Sequence, residues 1–99
     1  MIRQRSGRMG LQFEWDEEKE KINIAKHGID FKTASHVFLD QNRLEFFDEK
    51  HSTLEEDRYI TIGLVEEILT VVYTERAASL RIISARAATK KERMIYYGD

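Results

Sequence analysis

Three histidines and sixteen Lys or Arg side chains supply most of the reactive chemistry in this 99-residue chain, which has no cysteine. Lys19, Asn23 and His27 recur at i, i+4 and i+8, and Lys26 lies one turn from Asn23. A helix over this stretch presents them on one face. An imidazole beside an ammonium is a usable acid–base neighbourhood, because histidine titrates near neutrality. The same residues also read as cations complementing a helix C-terminus, with Asn23 holding a loop. His51, beside Glu49 in an acidic stretch, is a second acid–base candidate, since a neighbouring carboxylate favours the charged ring. His36 falls on the polar side of its helix and reads as a bystander. The histidine positions make no HExxH spacing and no thiolate is present, so no metal site or cofactor is expected.

The cations are unevenly spread. Between Arg76 and Arg93 there are Arg76, Arg81, Arg86, Lys90, Lys91 and Arg93 against Glu92 alone. From Phe13 to Asp57 six Lys or Arg face thirteen Asp or Glu, although the whole chain carries only −2. A basic lobe attracts polyanions whatever the total charge. The alternative is that it pairs with the acidic half of the same chain. Arginine is the residue suited to phosphate, being always charged and forked.

The elements that would position these groups follow from local signals. Residues 1–10 are basic, contain glycine and lack periodicity, so they read as a loose tail before a domain over 11–99. Residues 11–15 read as a strand, with Trp15 a core anchor just before the helix start. Asp16 caps a helix with Glu17 and Glu18 in its first turn, and Gly28 ends it. Ile22, Ala25 and Ile29 are expected on its core side; Ile24 fits neither side. Asp30 caps a second helix whose buried face is Phe31, Ala34 and Phe38, with Val37 beside them. Asp40, Gln41 and Asn42 form a turn, and residues 43–47 a strand. Strands over 58–65, 68–74 and 80–86 are close enough for hairpins, with Gly63 marking a bulge. Thr89 and Glu92 form a capping box for a last short helix ending near Tyr97. The expectation is a single α+β domain: an antiparallel sheet, built on a meander over 58–86, with two N-terminal helices and one C-terminal helix. Length, 41% apolar and 34% charged content suit one such domain. No apolar run suits a membrane span, and the basic start lacks the apolar stretch of a secretory signal. Cytoplasmic residence fits these features.

Turns at Glu66–Glu67 and 75–79 would set Arg58 opposite Glu75 and Arg81 opposite Tyr73. Arg58, Arg76 and Arg81 then gather at one end of the sheet. Arg86, with Lys90, Lys91 and Arg93, lies on the order of 20 Å away at the other. One phosphate could not span both groups, whereas an RNA strand could.

Phe13-Glu14-Trp15-Asp16, Lys19, Asn23, Lys26-His27-Gly28 and Phe31 resemble the opening of the BrnT family, ribonuclease toxins of type II toxin–antitoxin systems. Arg58 with Gly63, the run Val71 to Arg76, the run Arg81 to Arg86 and Lys91-Glu92-Arg93 are similar to the rest of its pattern. The resemblance spans about residues 12–97. It implies a RelE-like fold, metal-independent endoribonuclease activity that inhibits translation, and a BrnA-like cognate antitoxin whose complex with the toxin meets operator DNA. Joined to the residue chemistry, it implies His27 as acid–base group, Lys26 as its electrostatic neighbour, and Arg58 and Arg86 as phosphate contacts. Lys19, Arg76, Arg81, Lys90, Lys91 and Arg93 are then RNA-binding candidates. Non-catalytic nucleic-acid binding and a protein-interaction module are the competing readings.

Overall fold

The computed structural model describes residues 2–5 and 11–98, and of 2–5 only the backbone. The expected tail over 1–10 therefore lies largely outside the described residues. Within it, Ile2–Arg5 (β1) has strand backbone antiparallel to Gln12–Trp15 (β2).

Helix starts are set by side chains that accept otherwise unpaired backbone N–H groups. Asp16 accepts from the amides of Glu18 and Lys19 at 2.8 and 3.2 Å and opens α1, Glu17–His27. Gly28, at φ 71°, closes it in the left-handed conformation that glycine adopts without a Cβ penalty. Asp30 opens α2, Phe31–Ser35, by accepting from Thr33 N at 3.0 Å, and Glu20 of α1 accepts from Phe31 N at 2.9 Å. The expected longer second helix tightens into a 3-10 turn over His36–Leu39. Ser35 Oγ donates to Lys32 O at 2.6 Å there, a local bond that competes with regular helix. The chain continues through β3 (Leu44–Phe47), β4 (Tyr59–Val65), β5 (Glu67–Arg76) and β6 (Ser79–Ala87) to α3, Lys90–Tyr97. Among the described residues no helix is long and apolar enough to cross a membrane.

The sheet order is β1-β2-β6-β5-β4-β3. The segment β3 to β6 is an antiparallel meander, but β2 runs parallel to β6 through Phe13–Leu80 and Glu14–Arg81, so the sheet is mixed rather than antiparallel. Hairpin signals report only neighbours in sequence, and β2 meets its partner after the whole meander, a long connection that permits parallel pairing.

Pairing also corrects two registers. Glu66 alone turns the β4–β5 hairpin, at φ 61°, between the paired Val65 and Glu67. Tyr59 therefore faces Tyr73, which brings Arg58 beside Thr74, not Glu75. In β6, Arg81 faces Thr74 rather than Tyr73, and Ile82 takes the place opposite Tyr73. The bulge lies here: Val72 faces Ser84 while Tyr73 faces Ile82, leaving Ile83 as the extra residue. Gly63 pairs regularly with Leu69. Its lack of a side chain serves close approach, since a Cβ there would stand 3.1 Å from Val37 Cβ and 3.2 Å from Val37 O in the 3-10 turn.

One face of the sheet carries the core. Phe13, Trp15, Leu69, Val71, Tyr73, Ile82 and Ala85 are buried against Phe31, Ala34, Val37 and Phe38. Aromatic edges meet aromatic faces at Trp15–Phe31 and Phe38–Tyr73. A smaller cluster of Ile62, Ile68 and Ala88 fixes α3 to the other face, with Tyr96 against it.

The first helix contradicts its expected polarity. Ile22, 57% exposed, and Ala25 lie in solvent, as does Ile24, while Ile29 beyond the helix end does pack partly buried against the core; the buried residue of the helix is Asn23 at 4%. Asn23 replaces a strand partner. Its Nδ2 donates to Ala85 O and its Oδ1 accepts from Ala85 N, at 2.9 and 3.0 Å, on the edge of β6 beyond the residues paired with β2. Nδ2 also donates to Ile29 O at 2.9 Å. Backbone satisfaction, not apolar burial, positions this helix.

Candidate active site

The sheet face opposite the core is covered by α3 at one end and open in the middle. Its floor there is Ile60 of β4, Val72 of β5, and Ile83 and Ser84 of β6. Lys26 and His27 at the C-terminal end of α1 line one side. Asp48 and His51, from the loop between β3 and β4, line another, and Arg58 and Arg86 complete the cleft, which encloses about 340 Å³.

The bulge makes this gathering possible. Residues 81 and 86 are an odd number apart, so a regular strand would send them to opposite faces. The extra residue at Ile83 reverses the alternation, and Arg86, opposite Thr70, shares the face of Arg81, opposite Thr74. The expected separation of Arg58 from Arg86 counted strand rise alone. With both side chains on one face, the two line the same cleft.

The cations differ in how they are held. Arg58 Nε donates to Glu56 Oε1 at 2.9 Å, and Arg58 N donates to Ser52 Oγ at 2.8 Å. Its two terminal nitrogens have no partner among the described residues. Arg86 is gripped more fully: Nη1 and Nη2 reach the two oxygens of Glu92 at 2.7 and 3.0 Å. Glu92 Oε1 also accepts from Thr70 Oγ1 at 2.9 Å and from Thr89 N at 2.8 Å, the latter closing the capping box of α3. The Arg86 hydrogen bonds, with those from Thr89 and Thr70, hold the Glu92 carboxyl down at about 2 against burial, and Glu92 in turn raises Arg86. Glu92, the lone acid among the cations between Arg76 and Arg93, is thus the partner of Arg86.

His51 is oriented from beneath. Its Nδ1 lies 2.8 Å from Asp48 Oδ2, with the histidine side chain 58% exposed and that of Asp48 only 6%. Asp48 is itself tied by its amide to Arg58 O at 2.7 Å. Lys26 and His27 are exposed and make no side-chain pair among the described residues.

The remaining candidates lie around this cleft. Lys19 lines an adjoining hollow of about 130 Å³ with Asp16, Glu56, Arg58 and Arg81. Arg81 Nε donates to the buried Glu14 at 3.2 Å, and Ser79 Oγ donates to the same carboxylate at 2.6 Å. Arg76 meets Glu56 at 3.3 Å and lines a separate, acidic hollow with Glu55, Asp57 and Glu75. Arg93 Nη1 donates to Ala88 O at 2.9 Å, while Lys90 and Lys91 are exposed at the start of α3. His36 is exposed, as expected. Among the described residues no three His, Asp or Glu side chains converge as a metal site. Asp48 is a charged lining residue of this cleft that sequence reasoning passed over; its spacing of three from His51 was the available signal.

A family model described as the ribonuclease toxin BrnT of type II toxin–antitoxin systems matches residues 15–92. Among solved structures, the chain is similar to the ribonuclease toxin BrnT of Brucella abortus, with 32% identity and a TM-score of 0.62 over 79% of this chain and 96% of that one. Curated proteins gave no match.

Proposed function

From the premise that this chain belongs to the BrnT family of ribonuclease toxins of type II toxin–antitoxin systems, we propose that it cleaves RNA without a metal ion, by attack of a 2′-hydroxyl on the adjacent phosphate. The observation that carries this reading is the single cleft lined by His27, Lys26, Arg58 and Arg86. Such a reaction needs proton transfer and cations beside the extra charge on phosphorus. Fixed charge of this kind is commonly the largest catalytic contribution. His27 supplies proton transfer; Lys26 and the free nitrogens of Arg58 supply charge. Arg86, already held by Glu92, presents a fixed charge at the far wall. The apolar floor suits a nucleobase or ribose face, and Lys19, Arg76, Arg81, Lys90, Lys91 and Arg93 extend a path for the flanking strand.

The biological setting belongs to the same proposal. RNA cleavage inhibits translation, a BrnA-like antitoxin covers the cleft, and operator DNA is met only through the antitoxin complex. The RelE-like kinship implied by the resemblance is supported by the antiparallel meander backed by helices.

Purified protein tests this directly. It is expected to cut RNA at the same rate in excess chelator, leaving a 2′,3′-cyclic phosphate. Loss of cleavage on chelation, restored by a divalent ion, overturns the mechanism. Salt-sensitive RNA binding with no cleavage favours a binding module instead.

A further inference from the structure

Cleavage by 2′-hydroxyl attack requires one group to accept a proton and another to donate one, and His27 can fill only one of these roles in a turnover. We propose that His51 is the second catalytic imidazole, the one that accepts the 2′-hydroxyl proton, and that Asp48 is the residue that positions it. The inference rests on the ribonuclease reading and deepens it.

The geometry carries the assignment. A carboxylate can only accept, so the 2.8 Å contact with Asp48 Oδ2 puts a proton on Nδ1 of His51. In the neutral ring Nε2 is then the acceptor, and among the described residues it has no partner. Asp48 is buried while the imidazole is more than half exposed, and both line the cleft. The carboxylate thus fixes the ring's tautomer and orientation, with Nε2 turned free to take a proton. Among the described residues His27 has no such partner, and it lines the cleft from another element, the C-terminal end of α1.

The step balances. The 2′-oxygen forms a bond to phosphorus as its proton passes to His51 Nε2. The bond from phosphorus to the 5′-oxygen breaks as His27 gives that oxygen a proton. The products are a 2′,3′-cyclic phosphate and a 5′-hydroxyl, and the two rings exchange protonation states.

The test is single-turnover RNA cleavage by full-length variants, with binding measured on an RNA bearing 2′-deoxy sugars. His51→Ala is expected to slow cleavage by about 100-fold, within the usual range for an acid–base group. Affinity for the deoxy-substituted RNA stays the same, and added imidazole restores roughly tenfold. Asp48→Asn is expected to lower the cleavage rate by a similar order while affinity for the deoxy-substituted RNA holds, with the ring nitrogen NMR shifts of His51 reporting the other tautomer. His36→Ala leaves every value unchanged. Full cleavage by His51→Ala, with His27→Ala and Arg58→Ala inactive, overturns the role of His51 and leaves the ribonuclease reading intact. A wild-type protein that cuts no RNA overturns that reading itself.

Discussion

On one face of the sheet, Val71, Tyr73, Ile82 and Ala85 lie against Phe31, Ala34, Val37 and Phe38, and all eight are buried. On the other face of the same strands, Ile60, Val72, Ile83 and Ser84 are half-covered and ringed by Lys26, His27, His51, Arg58 and Arg86. Alternate residues of three strands thus divide the work. The closed face supplies most of the apolar burial that stabilises the fold. The open face keeps polar groups in water, where their desolvation is not charged against folding. Groups there are free to be chosen for chemistry, provided their anchors lie elsewhere.

The sharpest break between the faces should come from Arg58. Arg58→Ala is expected to lower RNA cleavage by about 100- to 1000-fold, the cost of one preorganised charge contact. Thermal melting should move by no more than a few degrees, because the Arg58–Glu56 pair is a partly exposed one. A large drop in melting temperature would show the open face carrying the fold as well.

Arg86 is where the division should blur. Arg86→Ala should lose about two orders of magnitude in cleavage. It should also lose about 1–3 kcal/mol of stability, since it strips the main partner from a carboxylate that caps α3 and bonds Thr70. The pH dependence has a definite sign. Glu92 falls from 4.5 to about 2 in the folded protein, so its contribution is present above pH ~4.5 and lost as pH falls towards 2. Asp30 and Asp40 are also held below the usual carboxylate range and add to acid unfolding with the same sign. In Arg86→Ala the acid loss should flatten, which a series of urea melts between pH 2 and 7 would measure.

Asn23→Ala tests whether the open face depends on a polar anchor. It leaves both backbone groups of Ala85 without their carboxamide partner and should cost about 2–3 kcal/mol. Cleavage should fall too, because His27 lies one turn further along α1. Hydrogen exchange at the Ala85 amide reports the first effect independently of activity. The smallest effect is expected at Ile22. Ile22→Lys should change stability by less than about 0.5 kcal/mol, since the side chain is 57% exposed. A loss beyond 2 kcal/mol would mean that α1 is held by apolar contact after all.

Local signals were legible in the sequence wherever a residue acts on its own neighbours. Asp16, Gly28, Asp30 and the Thr89–Glu92 box lie where capping chemistry places them, and the strands of the meander differ from their expected bounds by at most two residues at an end. Long-range pairing was not legible. The parallel β2–β6 contact has no hairpin turn to announce it. The bulge at Ile83 has no glycine to mark it, whereas Gly63 suggested a bulge and answers to Val37 instead. Hydrophobic periodicity misread α1, because a buried carboxamide bonded to a strand edge looks polar in the sequence. The cleft's candidate residues were named by their chemistry, yet their convergence depended on a register shift that chemistry does not encode.

Insertions and deletions meet a parity rule in β6. Facing along a strand is a binary variable, and the extra residue at Ile83 flips it once between Arg81 and Arg86. Removing any one residue of that stretch would toggle everything on one side of the cut, exchanging Ala85 and Arg86 between oily interior and water. An indel in the 48–57 loop flips no strand face; it shifts His51 and the bonds of Ser52 and Glu56 to Arg58. Length variants of this chain should therefore be tolerated in even steps or not at all within β6, and the spacing from residue 81 to residue 86 acts as a frame that point substitutions leave intact.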